Sequence, residues 1–91
     1  MDKHLNIKIF GRVHGVNFRY DSKQLADKLG LKGLVRNDPD DSVYIEVEGK
    51  EESVNNFLSW CQKGNLWSKI QKLEVNIAPL KRYTEFTILY A

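Results

Sequence analysis

From Leu5 to Phe10 apolar and polar residues alternate, with Leu5, Ile7 and Ile9 set against Asn6 and Lys8. A period of two predicts a strand with one buried face. Glycines at 11 and 15 bracket a loop after it. From Phe18 to Leu29 the period changes: Phe18, Leu25, Ala26 and Leu29 share one face of a helix, and Gly30 stands where a left-handed C-terminal cap belongs. Leu31 to Asn37 is short and extended, and Asp38-Pro39-Asp40-Asp41-Ser42 is turn chemistry. Val43 to Glu48 alternates again, with Val43, Ile45 and Val47 inward, so these two segments predict a hairpin that Gly49 ends.

The helical pattern is clearest over Glu51 to Lys63. Val54, Phe57, Leu58 and Cys61 fall at i, i+3, i+4 and i+7, two glutamates occupy the first turn, and Gly64 follows the last. Leu73, Val75 and Ile77 then alternate as a strand, Ala78-Pro79 breaks it, and Phe86, Ile88 and Tyr90 alternate as another. The expected fold is α+β: a ferredoxin-like β-α-β-β-α-β sandwich with a C-terminal fifth strand at an edge. It should have an antiparallel sheet carrying both helices on one face and leaving the other open, with Tyr44 on the open side.

Composition narrows the class. Ninety-one residues suit one domain spanning 1–91, and a single cysteine allows neither an internal disulfide nor a cysteine-based zinc site. Hydrophobic residues at 42% and charged ones at 29% belong to a folding chain. Fourteen Lys and Arg against twelve Asp and Glu give a net charge of +2 with the signs mixed, which disfavours a nucleic-acid binder. No apolar run approaches a membrane span and Met1-Asp2-Lys3-His4 does not read as a signal peptide, so a cytoplasmic protein with no membrane contact is expected.

The chemistry concentrates in Gly11-Arg12-Val13-His14-Gly15-Val16-Asn17-Phe18-Arg19, which leaves a strand and opens a helix. Two glycines let successive N–H groups turn inward as an anion nest, and the helix adds its positive dipole end. Arg19 can bring a guanidinium fork shaped for phosphate oxygens into the same space. Alone, the same residues also suit a plain turn followed by a solvated arginine. The Lys-Ser/Thr pair of a Walker A loop and the glycine spacing of a dinucleotide fold are both missing.

The stretch Gly11 to Arg19 resembles the signature of the acylphosphatases, whose phosphate loop reads roughly Gly-x-Val-Gln-Gly-Val-x-Phe-Arg. Gly33-Leu34-Val35-Arg36-Asn37, followed by Ser42-Val43-Tyr44-Ile45-Glu46, is similar to the second family signature, and Phe86-x-Ile88-x-Tyr90 to its C-terminal one. The resemblance spans essentially the whole chain. It implies hydrolysis of the carboxyl–phosphate bond of acyl phosphates, without metal or cofactor, to a carboxylate and inorganic phosphate. It implies that Arg19 binds the phosphate, that Asn37 positions the attacking water, and that the loop amides of Arg12, Val13, His14, Gly15, Val16, Asn17 and Phe18 hold the phosphoryl oxygens. The partners expected are a small-molecule acyl phosphate and inorganic phosphate as product and inhibitor, and the chain is expected to act as a monomer. Elementary chemistry fits these roles: carboxylate is a good leaving group, and phosphoryl transfer depends mostly on positioning and charge stabilisation.

Some positions depart from the family pattern. His14 stands where Gln is usual and reads as a solvated loop residue that could titrate near neutrality. Asn17 replaces a bulkier residue, Leu34 an aromatic one, and Asp40-Asp41 an Asp-Gly turn, which suggests strain or another turn type. Cys61 belongs to the core, Trp60 and Trp67 to part-buried packing, and His4 lacks carboxylates at ligand spacing. Two other functions remain to be weighed: RNA binding on the open sheet face, for which Val43 to Glu48 lacks the aromatic RNP motif, and phosphate binding for regulation.

Overall fold

The computed structural model describes residues 1–90; Ala91, the last residue of the expected domain, lies outside them. The strands are β1 (Asp2–Arg12), β2 (Lys32–Asn37), β3 (Val43–Lys50), β4 (Lys69–Ala78) and β5 (Phe86–Leu89), and the helices are α1 (Phe18–Lys28) and α2 (Glu51–Lys63). They form a five-stranded sheet in the order β4-β1-β3-β2-β5. Both helices pack on one face, α1 over β2 and β5 and α2 over β1, β3 and β4.

Each alternating segment turns its apolar set toward the helices. Leu5, Ile7 and Ile9 of β1, and Val43, Ile45 and Val47 of β3, are buried against Phe18 and Ala26 of α1 and Val54, Phe57 and Cys61 of α2. Burial pushes the Cys61 thiol pKa up and keeps it neutral, as suits a core residue. Trp60 packs against Phe18 with ring centroids 4.9 Å apart, whereas Trp67 is exposed, contrary to the expectation of part-buried packing.

Two expectations about the sheet need correction. It is mixed rather than wholly antiparallel, because β5 pairs in parallel with β2, Gly33 opposite Phe86 and Val35 opposite Ile88. Since β4 and β5 sit on opposite edges, residues 79–85 must cross the sheet between them. That strap covers part of the face expected to be open. Tyr83 N–H donates to Glu48 Oε2 (2.8 Å), Lys81 N–H to Glu48 Oε1 (2.9 Å), and Tyr83 Oη to Glu46 Oε1 (2.7 Å). Glu46 and Glu48 are consequently 6% and 5% exposed, and His4, with Nδ1 at 2.7 Å from Glu48 Oε1, is 1% exposed. Tyr44 lies on this side as expected, donating from Oη to Glu46 Oε2 and lying 4.2 Å from the Arg36 guanidinium.

The mixed topology has a consequence for position. β1, β2 and β5 run in the same direction, so the loop after β1, the end of β2 and the end of β5 all lie along one side of the sheet, the edge formed by the strand ends.

Candidate active site

Gly11 belongs to β1 rather than to the loop: it sits at a register shift against β4, with φ of 136°, and a Cβ there would run into the Lys69 carbonyl. The loop proper is 13–17. Val13 and Val16 anchor it in the core, while Gly15 (φ 71°) and Asn17 (φ 66°) adopt the left-handed conformation that turns the chain into α1. Asn tolerates that conformation better than a bulky or branched side chain does, which accounts for its presence at position 17. Among the described residues the amides of His14, Gly15, Val16 and Asn17 donate to no protein acceptor.

A cleft of about 440 Å³ opens at this edge, and the loop lines it through Val13, Gly15, Asn17 and Phe18. Arg19 and Tyr20 contribute from α1, Asn37 from the end of β2, and Ile88 and Tyr90 from the C-terminal segment. Arg19 and Asn37, remote in sequence, are thus brought together. Arg19 Nη1 donates to the Leu89 carbonyl (3.2 Å), and its guanidinium lies 4.9 Å from the Tyr90 ring centroid, which braces one side of the fork. Asn37 Oδ1 is buried and accepts no hydrogen bond from the protein.

The side chains of three loop residues, Arg12, His14 and Val16, do not line the cleft, and the role expected of this loop rests on its amides. Arg12 is exposed at the end of β1, and the Val16 side chain is in the core. His14 is not a solvated residue: Nε2 donates to the Ser42 carbonyl (2.7 Å), tying the loop to the β2–β3 turn beside Asn37. That turn replaces the usual glycine with Asp41 at φ 68°, following an Asp41 N–H bond to the Asp38 carbonyl. It is fastened further by Lys8, whose Nζ is 2.9 Å from Asp40 Oδ2. Hydrogen bonds from Ser42 and Lys8 hold the Asp40 carboxyl well below its usual range.

Asn65 escaped the sequence reading. Its Nδ2 donates to the Val16 carbonyl and to Asp21 Oδ2, both at 2.7 Å, joining the α2–β4 loop to the 13–17 loop and α1. As Gly64-Asn65 after a helix it reads only as a cap and turn, and its partners are too distant in sequence to suggest themselves. Among the described residues no three His, Cys, Asp or Glu side chains gather as metal ligands, and no helix is long and apolar enough to cross a membrane.

This topology, with a loop of unpartnered amides, one arginine and one unsatisfied asparagine at the same cleft, defines a small ferredoxin-like α+β domain whose polar groups converge at the strand ends. The acylphosphatase family model matches residues 5–88, and the chain belongs to that family of enzymes. It is 40% identical over 89 residues to the acylphosphatase of Ligilactobacillus salivarius (strain UCC118), covering 97% of this chain and 99% of that one. The crystal structure of acylphosphatase from Bacillus subtilis superposes with a TM-score of 0.93 at 35% identity, covering 99% of this chain and 100% of the other. Full-length HypF, in a phosphate- and nucleotide-bound form, matches with a TM-score of 0.90 and 36% identity over 99% of this chain but only 12% of HypF.

Proposed function

We propose that the chain hydrolyses acyl phosphates in the cleft, with Arg19 and the loop amides holding the phosphoryl group and Asn37 orienting the water. The observation that carries this reading is the buried Asn37 Oδ1, an acceptor without a protein donor, in the same cleft as the Arg19 guanidinium. A buried acceptor left unpaired costs about 1–3 kcal/mol, so its retention suits a group that bonds a water or substrate. The acceptor is also neutral, so it can take a proton from water into a hydrogen bond without repelling the phosphoryl oxygens, as a carboxylate would.

In the step proposed, the water oxygen forms a new bond to phosphorus as the bond from phosphorus to the carboxyl oxygen breaks. The electron pair leaves on the carboxylate, and the water's proton ends on the phosphate product. Arg19 and the amides stabilise charge on the equatorial oxygens, the dominant requirement of a loose phosphoryl transition state. No general acid is needed for a carboxylate leaving group. On the same reading the chain works as a single domain and a monomer, inhibited competitively by phosphate.

The test is steady-state hydrolysis of benzoyl phosphate, with and without chelator. Arg19→Ala and Asn37→Ala should each lower turnover about 10²–10³-fold, the scale of losing one preorganised transition-state contact. The Arg19 change should also weaken phosphate inhibition, whereas the Asn37 change should spare it. Near wild-type turnover at saturating substrate in either variant would show the assigned role to be wrong. A second reading, phosphate binding without hydrolysis, is decided by the same assay; HypF, to part of which the chain is similar, is described in a phosphate- and nucleotide-bound form. Phosphate binding with no turnover of any acyl phosphate would select it.

A further inference from the structure

We propose that the outer part of the cleft is an acyl subsite, built by Tyr20, Ile88 and Tyr90, that favours flat apolar or aromatic acyl groups over short ones. The inference rests on the cleft being the acyl phosphate site and adds which end of the substrate the remaining wall reads.

Size gives the first argument. The cleft, at about 440 Å³, falls in the range of roughly 300–1,000 Å³ typical of sites for whole small molecules, and a phosphoryl group fills only part of it. The polar end is accounted for by the loop, Arg19 and Asn37. What remains of the lining is apolar or aromatic, and two of its three residues are rings held in water: Tyr20 is 53% exposed and Tyr90 is 75% exposed. Large aromatic faces bordering a polar site offer a plate on which a planar group can stack.

Position gives the second. Tyr20 follows Arg19 directly on α1, and Tyr90 follows Leu89, whose carbonyl accepts from Arg19. The rings therefore border the group expected to hold the phosphoryl end, on the elements that supply it. The parallel run of β5 is what delivers Ile88 and Tyr90 to this edge.

Charge gives the third. Arg19 is the sole lysine or arginine lining the cleft among the described residues, and no carboxylate lines it. Once the guanidinium is engaged by phosphate, a carboxylate on the acyl group would find no cation to pair with. Neutral apolar acyl groups are the class that loses nothing there.

Phosphonates, which share the head group but cannot be hydrolysed, separate this subsite from turnover. Calorimetric titration of the wild type should show phenylphosphonate binding about three- to tenfold tighter than methylphosphonate, as expected for one aromatic contact at a partly exposed site. In Tyr20→Ser and Ile88→Ala that ratio should shrink by at least half. The kcat/KM ratio of benzoyl to acetyl phosphate should shrink in parallel, and comparing enzymes on one substrate pair cancels the difference in leaving groups. Equal phosphonate affinities in the wild type, or an unchanged ratio in both variants, would overturn the subsite. A phenylphosphonate preference that responds to Tyr20→Ser, with neither acyl phosphate hydrolysed, would keep the subsite and sink the hydrolytic reading instead.

Discussion

The strap-covered face of the sheet and the cleft at its strand ends treat polar groups in opposite ways. Beneath the strap 79–85, Glu46 receives Lys81 Nζ, Tyr83 Oη and Tyr44 Oη, and Glu48 receives His4 and two strap amides, so each buried carboxylate oxygen is occupied. At the cleft edge the loop amides and Asn37 Oδ1 have no protein partner among the described residues. Both regions are costly to build from polar atoms. In the first, the bonds are spent on joining the strap to the sheet. In the second, on the function proposed, they are left for the substrate and its attacking water. A buried polar cluster is therefore a poor marker of chemistry when it is saturated, and a good one when it is not.

The sharpest way to break this comparison is to measure stability in the variants that should kill turnover. Asn37→Ala, expected to cost about 10²–10³-fold in kcat, should unfold within about 0.5 kcal/mol of the wild type or slightly above it, because it removes an unsatisfied buried acceptor. A loss of 2 kcal/mol or more in chemical denaturation would mean that the Asn37 amide is structural after all.

The opposite pattern is expected under the strap. Glu46→Ala removes the acceptor of three donors and should destabilise by about 2–4 kcal/mol, with kcat little changed. The same cluster predicts acid sensitivity. Burial alone would raise the Glu46 pKa, but hydrogen bonds from Lys81, Tyr83 and Tyr44 outweigh it and hold the group down at about 2, and Glu48 is lowered as well. A carboxyl depressed by folding contributes stability above its unfolded pKa and loses it as pH falls through the folded one. The free energy of unfolding should thus drop between about pH 5 and pH 2, by on the order of 2–3 kcal/mol for Glu46, and Glu46→Gln should flatten that slope. An equally steep slope in the Gln variant would place the acid sensitivity elsewhere.

Much of this was legible because local patterns carry it. Helix α2 runs over Glu51–Lys63, the span that its periodicity marks, and Val43, Ile45 and Val47 face inward as their alternation predicts. Glycine spacing drew attention to the loop, whereas Asn37 on its own reads as a turn residue and was marked only by the resemblance of Gly33 to Asn37 to the second family signature. The direction of β5 was not legible, since a period of two says which side residues face and nothing about which way the strand runs. Glu46 and Glu48 alternate as solvent-facing residues do, and only the path of residues 79–85 buries them. The ties of His14 to Ser42 and of Asn65 to Val16 and Asp21 are contacts between distant segments, which no window of sequence contains.

Asn65 lies between the two regimes, since its bonds are satisfied yet one of them ends on the 13–17 loop. Asn65→Ala removes the donors to the Val16 carbonyl and Asp21 carboxylate, and should cost about 1–2 kcal/mol of stability. If the side chain only braces the α2–β4 loop, the kinetic constants should follow Asp21→Ala, which cuts one arm and leaves the other. If it sets the loop amides through Val16, the alanine variant should show a KM and a phosphate inhibition constant several-fold higher than Asp21→Ala does, with kcat changed less than KM. Matching constants in the two variants would confine Asn65 to the structural side of the comparison, and a split between them would make it a positioning residue of the site.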